Sequence, residues 1–168
     1  STDVVLDNLT GLMWPRDGNL PNGKRIWPQA IDYANNLTLC GHSDWKLPNI
    51  NELLSVTDFG TSSGLPLNHP FINTNFCYWS SSTVLYWPDN AWSLELGYSK
   101  WRSYKDYPYC HVWPIRSTNQ GVIKLPQTGQ NTCHDNIGNT IPCIGTGQDG
   151  EIQGVVAWPN PRFIVNEN

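Results

Sequence analysis

Between Trp87 and Tyr109 the chain sets out Trp87, Asp89, Asn90, Trp92, Tyr98, Trp101, Arg102, Tyr104, Lys105, Tyr107 and Tyr109. This mixture suits recognition better than bond breaking. Ring faces pack on the apolar C–H faces of sugars, while neighbouring Asp, Asn and Arg side chains bond hydroxyls. Trp and Tyr also give protein interfaces a wide contact area at small entropy cost. Trp87, Asp89, Asn90, Trp101, Arg102, Tyr104 and Tyr107 are therefore the candidate ligand contacts. Trp92 is expected inside, with Trp101 and Tyr104 near the surface.

Other reactive residue types are weaker candidates. Trp79 is followed by Ser80, Ser81 and Ser82, but no G-x-S-x-G nucleophile elbow is present. Strand hydroxyls serving backbone groups account for them. Asp44 and Trp45 could touch a ligand. A buried turn explains them better, with Asp44 accepting backbone N–H bonds and Trp45 filling the core. Calcium needs several oxygen ligands. Asp89 and Asn90 would offer two and Asp58 lies in a long loop, yet no EF-hand spacing occurs. No metal or other cofactor is expected.

Five cysteines, Cys40, Cys77, Cys110, Cys133 and Cys143, include no CxxC pair, and none of the four histidines lies near a Cys-rich cluster. That arithmetic argues against zinc and for disulfides in an oxidising compartment. Cys133 and Cys143 bracket a turn-rich segment and form the first expected pair. Cys77 and Cys110 lie in expected strands and could pair across a sheet. Cys40 would remain as a buried thiol or a bridge to another chain.

The elements that position these residues are short. Val4 to Leu6 and Leu12 to Trp14 read as strands around an Asn8–Gly11 turn. Pro28 opens a helix with an apolar stripe at Trp27, Ala30, Ile31, Ala34 and Leu37. Asn49 and Glu52 form the signature of a capping box for a second helix. Residues 57 to 75 read as a long loop with a packed end at Phe71, Ile72 and Phe76. Cys77 to Thr83, Ala91 to Leu96 and Cys110 to Ile115 are strand candidates, with 98–109 as a connection. Val155 to Trp158 is a last one. Strand, helix, helix, loop and antiparallel strands make an α+β layout.

Composition sets the outer limits. In 168 residues there are nine Trp, fourteen Gly and thirteen Pro, and charged residues make up only 14%, well under the usual quarter or so. Aromatics carry the apolar load. Five tryptophans precede proline, at Trp14, Trp27, Trp87, Trp113 and Trp158, so each ring sits at a stiff, extended point. The net charge of −4 and the lack of a Lys/Arg run argue against nucleic acid as a partner. No apolar stretch is long enough to span a bilayer.

Four phrases in order carry a resemblance. They are Asp7-Asn8-Leu9-Thr10-Gly11-Leu12-Met13-Trp14, His42-Ser43-Asp44-Trp45-Lys46-Leu47-Pro48-Asn49-Ile50-Asn51-Glu52-Leu53, Tyr78-Trp79-Ser80-Ser81-Ser82-Thr83 and Val112-Trp113-Pro114-Ile115-Arg116. Together they resemble the Lcl C-terminal domain family over about residues 4 to 117. Lys46 stands where the family usually has arginine. The resemblance implies a secreted or surface-attached bacterial protein. It also implies a fold related to C-type lectins and formylglycine-generating enzymes, with two helices packed on a small twisted antiparallel sheet and long irregular loops.

Residues 1–118 would form that lectin-like domain. Residues 119–168, rich in Gly, Thr and Gln, would be an extended tail or inter-module segment with a disulfide loop. The tail is similar to segments that join successive copies of the domain, which makes Val155, Val156, Trp158 and Phe163 candidate assembly contacts. The expected function is a non-catalytic extracellular module for binding or adhesion, recognising carbohydrate or protein on a surface. The alternative is a structural subunit of a fibre or surface layer, joined to further copies through its tail strand. The third reading is a thiol enzyme like the formylglycine-generating enzymes, with Cys77 and Cys110 as its cysteine pair. A reactive cysteine needs an electropositive, partly exposed setting, and a structural disulfide explains the same pair.

Overall fold

The computed structural model describes residues 3–118, 120–154 and 156–165. Strands β1 (Val4–Leu6) and β2 (Leu12–Pro15) pair antiparallel around a turn held by Asp7. The Asp7 carboxylate accepts from the Leu9 N–H and the Thr10 hydroxyl, an Asx turn at the place where a turn is expected. Helix α1 (Trp27–Asn35) carries proline in its first turn and buries Trp27, Ala30, Ile31 and Ala34. It ends before Leu37, which is half-buried. Helix α2 (Ile50–Leu54) begins with the expected capping box: Asn49 accepts from Glu52 N–H, and Glu52 accepts from Asn49 N–H.

Next come β3 (Cys77–Thr83), β4 (Asn90–Glu95) and β5 (Ser99–Tyr104), which form one antiparallel sheet in that order. Every residue of β3 is buried. The reason is that both faces of this strand are covered. Tyr78 and Leu94 join one core with Leu12, Trp14, Leu53, Trp113 and Ile115. Cys77, Trp79 and Ala91 join a second core with α1, Leu47 and Val112. Side chains alternate across a strand, so a strand between two cores shows no polar alternation. The first core is mostly rings: Trp113 stands 5.1 Å from Trp14, 4.7 Å from Phe71 and 4.9 Å from Tyr78. Each such pair contributes about 0.5–1.5 kcal/mol beyond burial.

Three expectations are corrected here. Residues 98–109 are not a plain connection, because Ser99–Tyr104 pairs with β4 residue for residue. An edge strand with five of six residues exposed has no buried face to write a hydrophobic period. Cys110 to Ile115 is not a strand. It makes separate bridges at Arg25–Cys110, Tyr78–His111 and Lys46–Ile115, so three different neighbours share its backbone groups. Ile72 and Phe76, expected to be packed, are 45% and 53% exposed; Phe71 alone reaches the core.

Beyond β6 (Arg116–Ser117), which pairs with β2, the chain lies along the body. The hairpin of β7 (Cys133–His134) and β8 (Thr140–Ile141) precedes a short helix, α3 (Asp149–Ile152), which the sequence reading lacked. Gln130 exchanges two hydrogen bonds with the Thr83 backbone, and Ser82 and Thr128 both donate to buried Asp149. The last expected strand is reduced to one bridge, Pro126 with Val156; Val155 lies outside the described residues. Both expected disulfides are present, Cys77–Cys110 and Cys133–Cys143. Cys40 is half-buried and in neither. Two disulfides are consistent with an extracellular domain. Among the described residues no helix is long and apolar enough to cross a membrane.

Candidate functional site

A cleft of about 650 Å3 lies against the β3–β4–β5 sheet, bordered on one side by its edge strand β5. Its walls come from β5, from residues 75–77 leading into β3, and from 109–111 on the far side of β3. Trp101, Tyr104, Tyr109 and Phe76 line it while remaining 60%, 55%, 47% and 53% exposed. The disulfide joins Cys77 to Cys110 with Cα atoms 4.8 Å apart, so the 75–77 and 109–111 walls are covalently tied. Polar groups are spaced among the rings: Lys24, Asn75, Glu95, Arg102 and His111.

The electrostatics are moderate. Burial pushes the His111 imidazole below its ordinary value, the Cys77 backbone opposes this, and nearby Lys24 and Arg25 lower it further. His111 is thus a neutral hydrogen-bonding group at pH 7, and its Nδ1 is buried without a partner among the described residues. The Arg102 guanidinium lies 3.9 Å over the Trp87 ring, and Lys100 Nζ lies 4.6 Å over Trp92. Both cations are held against rings by cation–π attraction.

The structure divides the candidate contacts. Trp101, Arg102, Tyr104 and Asn90 border the cleft. Of these Asn90 is only 2% exposed, and its amide is turned to Asp89 Oδ1 at 2.8 Å. Trp87 meets the cleft only through Arg102 and packs edge-on with Tyr86. Tyr107 stacks on Tyr109 at 4.7 Å. Trp92 is half-buried under Lys100 rather than fully inside. Sequence reasoning missed Phe76, Lys24, Asn75, Glu95 and His111, which come from four segments distant in sequence; no local signal joins them. Tyr109 stood within the crowded stretch but was not singled out.

The remaining motifs are structural. Ser80 donates to Trp92 O, Ser82 accepts from Ile50 N–H, and all three serines are at most 3% exposed. Trp45 is buried as expected. Asp44 is corrected: its carboxylate forks onto Arg116 at 2.7 and 3.0 Å instead of capping backbone, and that guanidinium holds its carboxyl below the usual range. The cysteine pair of the thiol reading is oxidised, with Cys77 and Cys110 8% and 0% exposed. Among the described residues no three His, Cys, Asp or Glu side chains converge as a metal site would need. Asp58 instead caps a turn through Gly60 N–H.

Residues 3–116 match the Lcl C-terminal domain. The chain belongs to that family. No curated protein and no solved structure matches it. The family domain covers both cores, the Cys77–Cys110 disulfide and every wall of the cleft. Its Lys46 reaches both oxygens of Glu52, at 2.7 and 2.8 Å, and so ties the Asp44–Pro48 turn to the α2 capping box.

Of the assembly candidates, Trp158 packs over Gly129 and donates to Gln127 O at 2.9 Å within its own chain. The Arg162 guanidinium lies over the same ring, 4.0 Å from its centroid. Val156 is 45% exposed and Phe163 81%.

Proposed function

We propose that this chain is a non-catalytic extracellular binding module of C-type-lectin-like fold that holds carbohydrate in the cleft along β5. The observation that carries the reading is the set of solvent-facing rings, Phe76, Trp101, Tyr104 and Tyr109, of which Phe76 and Tyr109 stand on segments cross-linked by a disulfide. Rings held apart in water are a standing cost, since burying one would recover about 1.5–3 kcal/mol. Interleaved Asn75, Glu95 and Arg102 supply donors and acceptors for hydroxyls. A rigid platform of this kind loses little freedom on binding. The test is a glycan array with folded protein, repeated with Trp101→Ala. Binding that is abolished by the variant supports the reading; no glycan bound by wild type, or binding indifferent to Trp101, overturns it. A surface protein as ligand is the other outcome, read by pull-down with the same pair.

A structural subunit assembling through its tail is a second reading, favoured by the exposed Phe163, Ile164 and Val165 side chains, at 81%, 81% and 85%. Removal of residues 159–168 would then abolish self-association in sedimentation. Association that persists would refute it.

A further inference from the structure

A polar basin of about 490 Å3 adjoins the aromatic cleft, and Asn75 lines both. The basin is built from two loops. Residues 16–24 meet residues 72–75 through Gly18 N–H to Ile72 O at 2.9 Å and Ile72 N–H to Arg16 O at 2.9 Å. Gly18 permits this approach: a Cβ there would stand 2.6 Å from the Tyr78 hydroxyl and 3.2 Å from Thr74 Cα. The Tyr78 hydroxyl also accepts the Asn75 N–H at 2.7 Å, which fixes the residue shared by the two cavities.

The lining is mostly amide and hydroxyl: Asn19, Asn22, Asn73, Thr74 and Asn75, with one carboxylate, Asp17, and one apolar residue, Leu20. Asp17 is already engaged by the Asn19 N–H at 2.8 Å and the Asn73 amide at 3.0 Å. The side chains of Asn22 and Thr74 make no hydrogen bond among the described residues, and both are exposed. An amide carries donors and an acceptor together, as a sugar hydroxyl does, and it sheds water at far lower cost than a charge. Such a surface suits neutral polyols better than an ion or a hydrocarbon.

We infer that the amide basin is a second subsite, and that the cleft and basin together bind one extended neutral oligosaccharide, with rings stacked at Trp101 and hydroxyls read at Asn22 and Asn73. This rests on the carbohydrate reading of the cleft and adds the ligand's length and charge to it. Each cavity lies in the size range of small-ligand sites, roughly 300–1,000 Å3, so the pair accommodates more than one sugar ring.

The test uses linear cello-, chito- and xylo-oligosaccharides of one to six sugars, titrated by calorimetry. Asn22 and Asn73 have φ of 53° and 52°, where glycine is at ease. Asn22→Gly with Asn73→Gly therefore removes both amides while keeping the turns, and a thermal melt checks folding. In the series that binds, affinity should climb from dimer to tetramer. The double variant should weaken the tetramer about tenfold, the scale of two neutral hydrogen bonds, and leave the dimer unchanged. Trp101→Ala should weaken both lengths. A tetramer that binds no tighter than the dimer, or equally well to the double variant, overturns the basin while the cleft stands on Trp101. No oligosaccharide bound by wild type overturns both.

Discussion

Lys105 has no exposed surface and, among the described residues, no carboxylate in ion-pair contact. Its ammonium donates to His134 O and Asp135 O, each at 3.2 Å, and lies 4.2 Å over the Trp27 ring. Through these contacts one side chain joins the end of β5, helix α1 and the β7–β8 hairpin. Burial pushes its amine down from 10.5 to about 7, against a smaller upward pull from Asp135 and Asp89. An amine lowered in the folded state binds its proton less well there than in the unfolded chain. Below pH 7 both states are protonated, and the cost of burying the charge is present in full. From pH 7 to about 10.5 the unfolded chain holds up to one more proton, so stability rises with pH by up to about 1.4 kcal/mol per unit.

Urea melts followed by tryptophan fluorescence at pH 7.5 and 9.5 should therefore differ by about 2 kcal/mol, with the higher pH more stable. This window avoids the other shifted groups. His111 and His134 are lowered by burial and act below pH 6.5 or so. Tyr78, pushed up to about 12, and Tyr33, also raised by burial, lose their contribution only above pH 10 or so. A Cys40→Ser background keeps thiol exchange out of the measurement. Lys105→Met preserves length and removes the ammonium, so its stability should be flat across the window. A wild type that does not gain stability, or a Lys105→Met protein that keeps the same rise, would refute the assignment.

Lys46→Met should be strongly damaging, because Glu52 is 1% exposed and would be left as a buried charge without its cationic partner. A loss of about 3–5 kcal/mol is expected in denaturant unfolding; a loss under about 1 kcal/mol would mean that solvent reaches Glu52. Replacing Cys133 and Cys143 by serine opens a loop of sequence separation 10 and should cost about 3 kcal/mol. Calorimetry reads this as a lowered Tm, and binding in the β5 cleft should survive because none of its lining residues lies in that loop.

What the sequence displays follows from how many partners each feature needs. The α2 capping box is four residues long, and α1 declares itself by a stripe that one surface buries. Both are local, and both appear where expected. The five Trp-Pro pairs separate as their surroundings dictate: Trp14, Trp27 and Trp113 are at most 2% exposed, while Trp87 and Trp158 are about 40% exposed. β5 escaped notice because its pairing with β4 is written in backbone groups, while its side chains face water. The cleft was half legible. Trp101, Arg102 and Tyr104 lie on one strand, but Lys24, Asn75, Phe76 and His111 arrive only through long-range packing.

The same division explains how the molecule sustains exposed rings. An edge strand bearing Trp and Tyr invites pairing with another chain, and Lys100 and Arg102 on β5 guard against it, since charge at an edge discourages such contact. Their stacking on Trp92 and Trp87 covers two further ring faces. Phe76, Trp101 and Tyr109 forgo burial that would stabilise the fold. The Cys77–Cys110 bridge, at sequence separation 33, offsets this by about 4 kcal/mol and does so between two of the cleft walls. Stability is thus drawn from a cross-link and from the Trp14–Trp113–Tyr78 core, while the rings of the β5 edge stay exposed to solvent.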